Sequence, residues 1–279
     1  MSAVPQITLN SGVTIPQLGF GTYQVTPETT KDTVLSAFEV GFRHIDTAQM
    51  YRNEAGVGNA LKESGLGRGE VFITSKLNNS FHRYEDALRA ADESLAALGV
   101  EQMDLFLIHW PLPTIEVDYV ETWKAMIEIF ESGRARSIGV SNFQVPHLQR
   151  LIHETSVVPA VNQIEVHPYL TNETVRAFGK EQGIATEAWS PIAQGAVLED
   201  PVLTEIAERI GKTTAQVTLR WHIQRGDIVF PKSVTRFRIE ENFSLFDFEL
   251  TDQDIEAISA LNKDQRTGPD PDSFDYIPH

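Results

Sequence analysis

Short apolar runs recur along the chain, spaced to leave room for a helix between each pair. They are Leu18-Gly19-Phe20, Phe42 to Ile45, Val71 to Thr74, Met103 to Ile108, Ser137 to Val140, Ala160 to Ile164, Ile184 to Ala188 and Ile228 to Phe230. Each reads as a buried strand, and the stretches between them switch to a helical period. Leu88, Ala91, Leu95 and Leu98 share one helix face, as do Val120, Trp123, Ile127 and Phe130. Thr213 with Gln216, and Thr251 with Asp254, have the spacing of capping boxes, while Gly99 and Gly133 stand where helices should stop. Strands separated by helices pair in parallel, because the helix returns the chain to the same edge. Eight such units predict an α/β fold, a (β/α)8 TIM barrel, with residues 1–279 as one barrel domain. Ahead of it, Ile7-Thr8-Leu9 and Val13-Thr14-Ile15 alternate around Asn10-Ser11-Gly12 and predict an N-terminal β-hairpin. Behind it, Gln265 to His279 lacks periodicity but carries Phe274, Tyr276 and Ile277 among Pro and Asp residues, which predicts a C-terminal loop packed over the barrel mouth.

A doubly wound sheet is the competing architecture. It would place a glycine-rich phosphate loop after the first strand, where this chain has Gly19-Phe20-Gly21-Thr22. Gly65-Leu66-Gly67-Arg68-Gly69 precedes a strand instead of linking strand to helix, so it is no dinucleotide fingerprint either. The chain has no cysteine, which excludes disulfides, thiolate metal sites and a cysteine nucleophile, and no His-rich ligand cluster points to a metal. Its net charge of -16 argues against nucleic acid and anionic membranes as partners. No apolar run has the length of a membrane span, and MSAVPQITLN lacks the basic and apolar segments of a signal peptide. These features predict a cytoplasmic monomer whose partner is a small molecule.

Chemistry in such barrels sits at the C-terminal ends of the strands. The second run ends at Asp46, with Tyr51 five residues on; the third ends at Ser75-Lys76 and the fourth at His109-Trp110. Taken singly, Asp46 could cap a helix, Tyr51 could pack, Lys76 could face solvent and His109 could be a hydrogen-bonded structural residue. Their convergence on one mouth is what makes them candidates. His44, two residues from Asp46, reads as an inward structural histidine.

The residues at these positions resemble the aldo-keto reductase family. The likeness is carried by Gly41-Phe42-Arg43-His44-Ile45-Asp46-Thr47-Ala48 with Tyr51, Asn53-Glu54, Thr74-Ser75-Lys76-Leu77, and Asp104 with Leu107-Ile108-His109-Trp110-Pro111. It continues through Arg136-Ser137-Ile138-Gly139-Val140-Ser141-Asn142-Phe143 and Pro159-Ala160-Val161-Asn162-Gln163-Ile164-Glu165. Pro231-Lys232-Ser233-Val234, Arg238-Ile239 and Glu241-Asn242 complete it. Within the family the chain looks most like the bacterial 2,5-diketo-D-gluconate reductases.

The resemblance implies NADPH-dependent reduction of aldehydes or ketones, with Asp46, Tyr51, Lys76 and His109 as catalytic tetrad. Tyr51 would protonate the developing alkoxide, helped by a Lys76 ammonium that lowers its pKa. It further implies Ser141, Asn142 and Gln163 at the nicotinamide carboxamide, and Trp189 with Ser190 against the ring. Lys232, Ser233, Val234 and Arg238 would surround the 2′-phosphate, with Glu241 and Asn242 at the adenine. The basic island Lys232, Arg236, Arg238 suits an anion. Tyr23, Met50, Asn78, Trp110 and Phe143 are candidates to line the substrate pocket, Asn78 replacing the Trp that many relatives carry after Lys76-Leu77. Two other readings stay open: a Schiff-base aldolase using Lys76, and a nucleotide-binding regulatory module without turnover.

Overall fold

The computed structural model describes residues 4–278; Met1 to Ala3 and His279 lie outside the described residues. Strands β1 (Gln6–Thr8) and β2 (Thr14–Pro16) form the expected antiparallel hairpin. The barrel then runs β3 (Phe20–Gly21), α1 (Pro27–Val40), β4 (His44–Asp46), α2 (Glu54–Ser64), β5 (Phe72–Leu77), α3 (Tyr84–Leu98), β6 (Leu105–Ile108) and α4 (Tyr119–Glu131). It continues β7 (Ile138–Ser141), α5 (Val145–Thr155), β8 (Val161–Glu165), α6 (Glu173–Gln182), β9 (Ala185–Trp189), α7 (Pro201–Ile210), α8 (Thr214–Arg225), β10 (Ile228–Val229), α9 (Arg236–Phe243) and α10 (Asp252–Ser259). All eight barrel strands pair in parallel with their sequence neighbours. The ring closes between its ends, where Gly19 N–H donates to the Val229 carbonyl at 2.7 Å and Val229 N–H to that of Gln17 at 3.0 Å.

Two helices, α7 and α8, occupy the β9-to-β10 connection. The capping boxes of Thr213 and Thr251 form as expected. One helical face is corrected: α4 buries Tyr119, Thr122, Trp123, Met126 and Ile129, while Ile127 is half-buried and Phe130 is 41% exposed, because the buried seam lies one position N-terminal of the stripe through Ile127 and Phe130. The hairpin closes the lower end of the barrel. Leu9 and Ile15 join Phe72, Leu105, Leu107, Val161 and Ile228 in one buried cluster. Polar side chains higher in the barrel are thereby cut off from water below.

Helices α2 and α3 approach closely at Gly58. A Cβ there would lie 2.3 Å from the Leu98 carbonyl oxygen, a backbone atom that cannot swing away. Gly58→Ala should therefore destabilise the fold by about 1–3 kcal/mol, reversing the helix-propensity gain expected at an open site. A thermal melt showing a gain would contradict this packing.

Candidate active site

Register carries the reactive side chains to one place. Asp46 ends β4, Lys76 lies on β5, His109 follows β6, and Tyr51 rides on a short 3-10 turn, Gln49–Tyr51, just past β4. Lys76 is fully buried, and its Nζ donates to Asp46 Oδ1 at 2.7 Å, the Thr47 carbonyl at 2.9 Å and Tyr51 Oη at 3.3 Å. The Tyr51 and His109 rings meet edge-on with centroids 5.7 Å apart. All four expected tetrad residues thus converge.

The electrostatics follow from burial and pairing. Burial works against the Lys76 ammonium, but Asp46, Tyr51 and Glu187 outweigh it and hold its pKa above the ordinary value. Burial pushes the Asp46 carboxyl up, against the pull of Lys76 and Gln163. Burial and the Lys76 charge hold His109 well below the usual histidine range, so it is neutral. Its Nδ1 is buried without a hydrogen-bond partner among the described residues. Tyr51 corrects the sequence expectation. Burial raises it to about 12; Lys76 pulls it down but does not win. A cationic Lys76 is also the wrong form for a Schiff base, which requires a neutral amine.

Beside the tetrad, the carboxamide candidates form a connected wall. Ser141 Oγ donates to the Gln163 carbonyl at 2.8 Å, and Asn142 Nδ2 donates to the His109 carbonyl at 2.9 Å and Ser141 Oγ at 3.1 Å. Trp189 Nε1 donates to Asn142 Oδ1 at 2.8 Å, which fixes the indole. Gln163 Nε2 donates to Asp46 Oδ2 at 2.8 Å and Glu187 Oε2 at 2.7 Å. Both amide donors of Asn142 and of Gln163 are therefore used inside the protein, and what this wall can still offer is carbonyl oxygen. Ser190, next to Trp189, is half-buried with a left-handed φ of 48°.

Farther along the rim, Lys232 and Arg238 are exposed and have no ion pair among the described residues. Arg236 does not belong with them: it is paired with Glu39 at 2.5 Å and Glu240 at 2.7 Å, so the basic island shrinks to two free cations. Thr235 precedes α9 without a side-chain cap, leaving first-turn N–H groups available to an anion. Ser233 is buried, Val234 and Phe237 are 58% and 69% exposed, Glu241 accepts from the Thr213 hydroxyl, and Asn242 is half-buried.

The tail crosses the mouth. Thr267 N and Oγ1 donate to Glu165 Oε1 at 2.6 and 2.5 Å, and Gly268 N donates to Glu165 Oε2 at 3.2 Å. Gly268 lies so close to the Trp189 ring that a Cβ would meet it at 2.4 Å. Phe274 packs on Trp110 with centroids 4.2 Å apart, and Asn79 and Ser80 donate to the Tyr276 and Pro278 carbonyls.

A model of the aldo/keto reductase family matches residues 17–263 of the chain. The chain belongs to that family. It is 52% identical to an aldo-keto reductase of Mycolicibacterium smegmatis, over 98% of each chain. It is 47% identical to the methylglyoxal reductase DkgA of Escherichia coli, covering 96% of this chain and 97% of that one. The crystal structure of a Bombyx mori aldo-keto reductase in complex with NADP superposes with a TM-score of 0.92 at 38% identity, over 99% of each chain.

In this aldo/keto reductase several expected pocket residues have other work. Phe143 is fully buried, packed edge-on against Tyr119 and His147. Asn78 bends back to accept from Ser80 N at 3.0 Å, capping the turn that receives the tail. Tyr23 is 59% exposed, 5.1 Å from the Tyr51 ring, and Met50 is half-buried in the turn that carries Tyr51. Of the tail's apolar residues Pro271 is buried and Phe274 half-buried, while Tyr276 and Ile277 are exposed, and polar contacts to Glu165, Asn79 and Ser80 add to its hold. Sequence reasoning missed two buried acids, Glu165 as tail anchor and Glu187 beneath the tetrad. A charged residue inside the apolar run Ile184 to Ala188 was the available signal for Glu187.

Proposed function

We propose that this enzyme reduces small polar α-dicarbonyl compounds, sugar-derived ketoacids of the 2,5-diketogluconate type included, with Tyr51 as the proton donor. It is an NADP-dependent oxidoreductase, and NADPH supplies the hydride when bound. Lys76 donating to Tyr51 Oη while locked to Asp46 is the observation that carries the assignment of the acid. As the substrate oxygen gains negative charge, the Tyr51 hydroxyl gives up its proton, and the adjacent ammonium stabilises the phenolate left behind. Neutral His109 sits edge-on to Tyr51 and can hydrogen-bond the same oxygen.

The donor set fits the cofactor. Asn142 Oδ1 and Gln163 Oε1 present acceptors, which suit the two N–H groups of a nicotinamide carboxamide. Ser141 holds the Asn142 amide, and Trp189, with Ser190 beside it, offers a fixed aromatic face. Lys232 and Arg238, with Ser233, Val234 and the uncapped start of α9, suit a 2′-phosphate, and Glu241 and Asn242 the adenine. Trp110 packs against Phe274 of the tail, and with Tyr23, Met50 and Asn78 this aromatic pair is assigned to the substrate side, a set of walls that suits small substrates. The M. smegmatis and E. coli relatives agree with this chemistry in name.

Initial NADPH oxidation rates should give a higher kcat/KM for small α-dicarbonyls and sugar ketoacids than for bulky aromatic aldehydes. The reverse ranking would reject this substrate class. Neutralising Lys232 and Arg238 together should weaken NADPH by ~100-fold or more, with charge-assisted bonds contributing about 1.5–3 kcal/mol each. NADH should weaken far less in the same titration. Equal losses for the two cofactors would show that these side chains do not read the phosphate.

A further inference from the structure

We propose that Glu187 is a positioning residue that carries a proton inside the barrel, fixes the Gln163 amide with its acceptor oxygen, and keeps a second negative charge away from Lys76 and Tyr51. The inference rests on the reading of Tyr51 as acid and of Gln163 as a cofactor contact.

Glu187 stands on β9 in register with Gln163 on β8, and its side chain is fully buried. Two carboxyl groups, Asp46 and Glu187, thus share the Gln163 amide, with one ammonium, Lys76, nearby, while Glu165, two residues along β8, is engaged by His167 and Thr267 at the mouth. The other groups around Glu187 bring no compensating charge. His44, from β4, is held neutral by burial, down to about 3. Its Nδ1 lies 3.2 Å from the Pro16 carbonyl and must donate there, which leaves Nε2 an acceptor. Thr74 on β5 shares that Nε2 at 3.2 Å. On the other side β10 carries only Ile228 and Val229, and Asp227 just before it is engaged by His222 and Arg176. Asp46 is already paired with Lys76, so Glu187 is the carboxyl that takes the proton. Burial and the Asp46 charge raise it to about 8.

The hydrogen bonds divide its two oxygens. Oε2 accepts from Gln163 Nε2. Oε1 has no hydrogen-bond partner among the described residues and faces His44 Nε2 at 3.9 Å, so it is the oxygen with room for a proton and an acceptor toward which to point it. Asp46 and Glu187 together take both N–H bonds of Gln163, so its amide cannot flip and its Oε1 stays free for the cofactor side. Loss of the Glu187 proton would add a negative charge under Lys76, make the Tyr51 proton harder to release and slow the reaction.

Glu187→Gln is isosteric, keeps the acceptor for Gln163, and turns an N–H toward His44, but cannot ionise. We expect the ratio of kcat at pH 9 to kcat at pH 7 to be about tenfold higher in Glu187→Gln than in wild type. Glu187→Leu should raise the Kd for NADPH several-fold, and Glu187→Gln should restore it.

A second readout needs no turnover. Below the ordinary carboxyl value of 4.5 the folded and unfolded wild-type chains both hold the proton. Above it the unfolded chain releases the proton while the fold retains it, so wild-type stability falls until pH reaches about 8. The Tm difference between Glu187→Gln and wild type should therefore widen across that window and level off above it. A pH-independent Tm difference would overturn the buried proton. A widening difference with superimposable rate profiles, or an unchanged NADPH Kd in Glu187→Leu, would reduce Glu187 to a stability group and overturn its positioning role. Failure of the acid assignment is separately visible as normal turnover in Tyr51→Phe.

Discussion

Tyr51→Phe should lose turnover by ~100- to 10,000-fold, the usual contribution of a positioned general acid, while binding NADPH with an unchanged Kd. The change removes one oxygen, and among the described residues that oxygen accepts only the 3.3 Å bond from Lys76, which keeps Asp46 and the Thr47 carbonyl as partners. Folding stability should therefore stay close to wild type. Lys76→Met should abolish turnover to a similar degree but differ in the melt. It strands the buried Asp46 carboxylate, and breaking a buried ion pair from one side costs about 3–5 kcal/mol. Single-turnover kinetics with NADPH and calorimetry on both variants make the check. Near-normal turnover in a folded Tyr51→Phe protein would remove Tyr51 from the mechanism.

Ending the chain after Gly268 should change the KM for carbonyl substrates by about tenfold or more and reorder the substrates, with NADPH affinity little altered. The truncation keeps Thr267 and Gly268 on Glu165, and so keeps the cover over Trp189. It deletes Phe274 from the Trp110 wall and the two carbonyls held by Asn79 and Ser80. Asn78→Trp should shift the same ranking by adding bulk and removing the cap on the turn beneath the tail. Steady-state kinetics on dicarbonyls, ketoacids and aromatic aldehydes would decide it. A truncated enzyme with the full-length ranking and constants would make the tail dispensable.

The barrel was legible in the sequence because each strand is a short apolar run and each helix announces its ends, as at Thr213 and Gly99. The tetrad was legible for a related reason: in this fold the residue at a strand end faces the mouth whatever its neighbours do. What escaped notice depends on contacts that local pattern does not encode. Glu165 meets Thr267 across 102 positions, and the amide hydrogens of Gln163 are divided between two acids on different strands. The direction of the Tyr51 shift was likewise hidden, since burial competes there with a neighbouring charge, and how deeply the hydroxyl is buried depends on the whole fold. The exposed Phe130 shows the same limit on a smaller scale, where a plausible helical stripe ran one position off the true seam.

The seam that closes the ring has a consequence for how the protein is made. Gln17 Nε2 reaches the carbonyls of Ile223 and Asp227 at 2.8 and 3.0 Å, the latter 210 positions away, and the first and last barrel strands are each only two residues long. Pairing so distant and so brief has a large loop-closure cost and little local reward, so it belongs to the final stage of folding. On the ribosome the ring stays open beside β3 until β10 has emerged, so a nascent chain halted before Ile228 keeps the apolar lining of an unclosed barrel within reach of other chains. Synthesis rate and chaperone supply, more than the strength of the finished core, should then govern how much soluble enzyme a cell obtains.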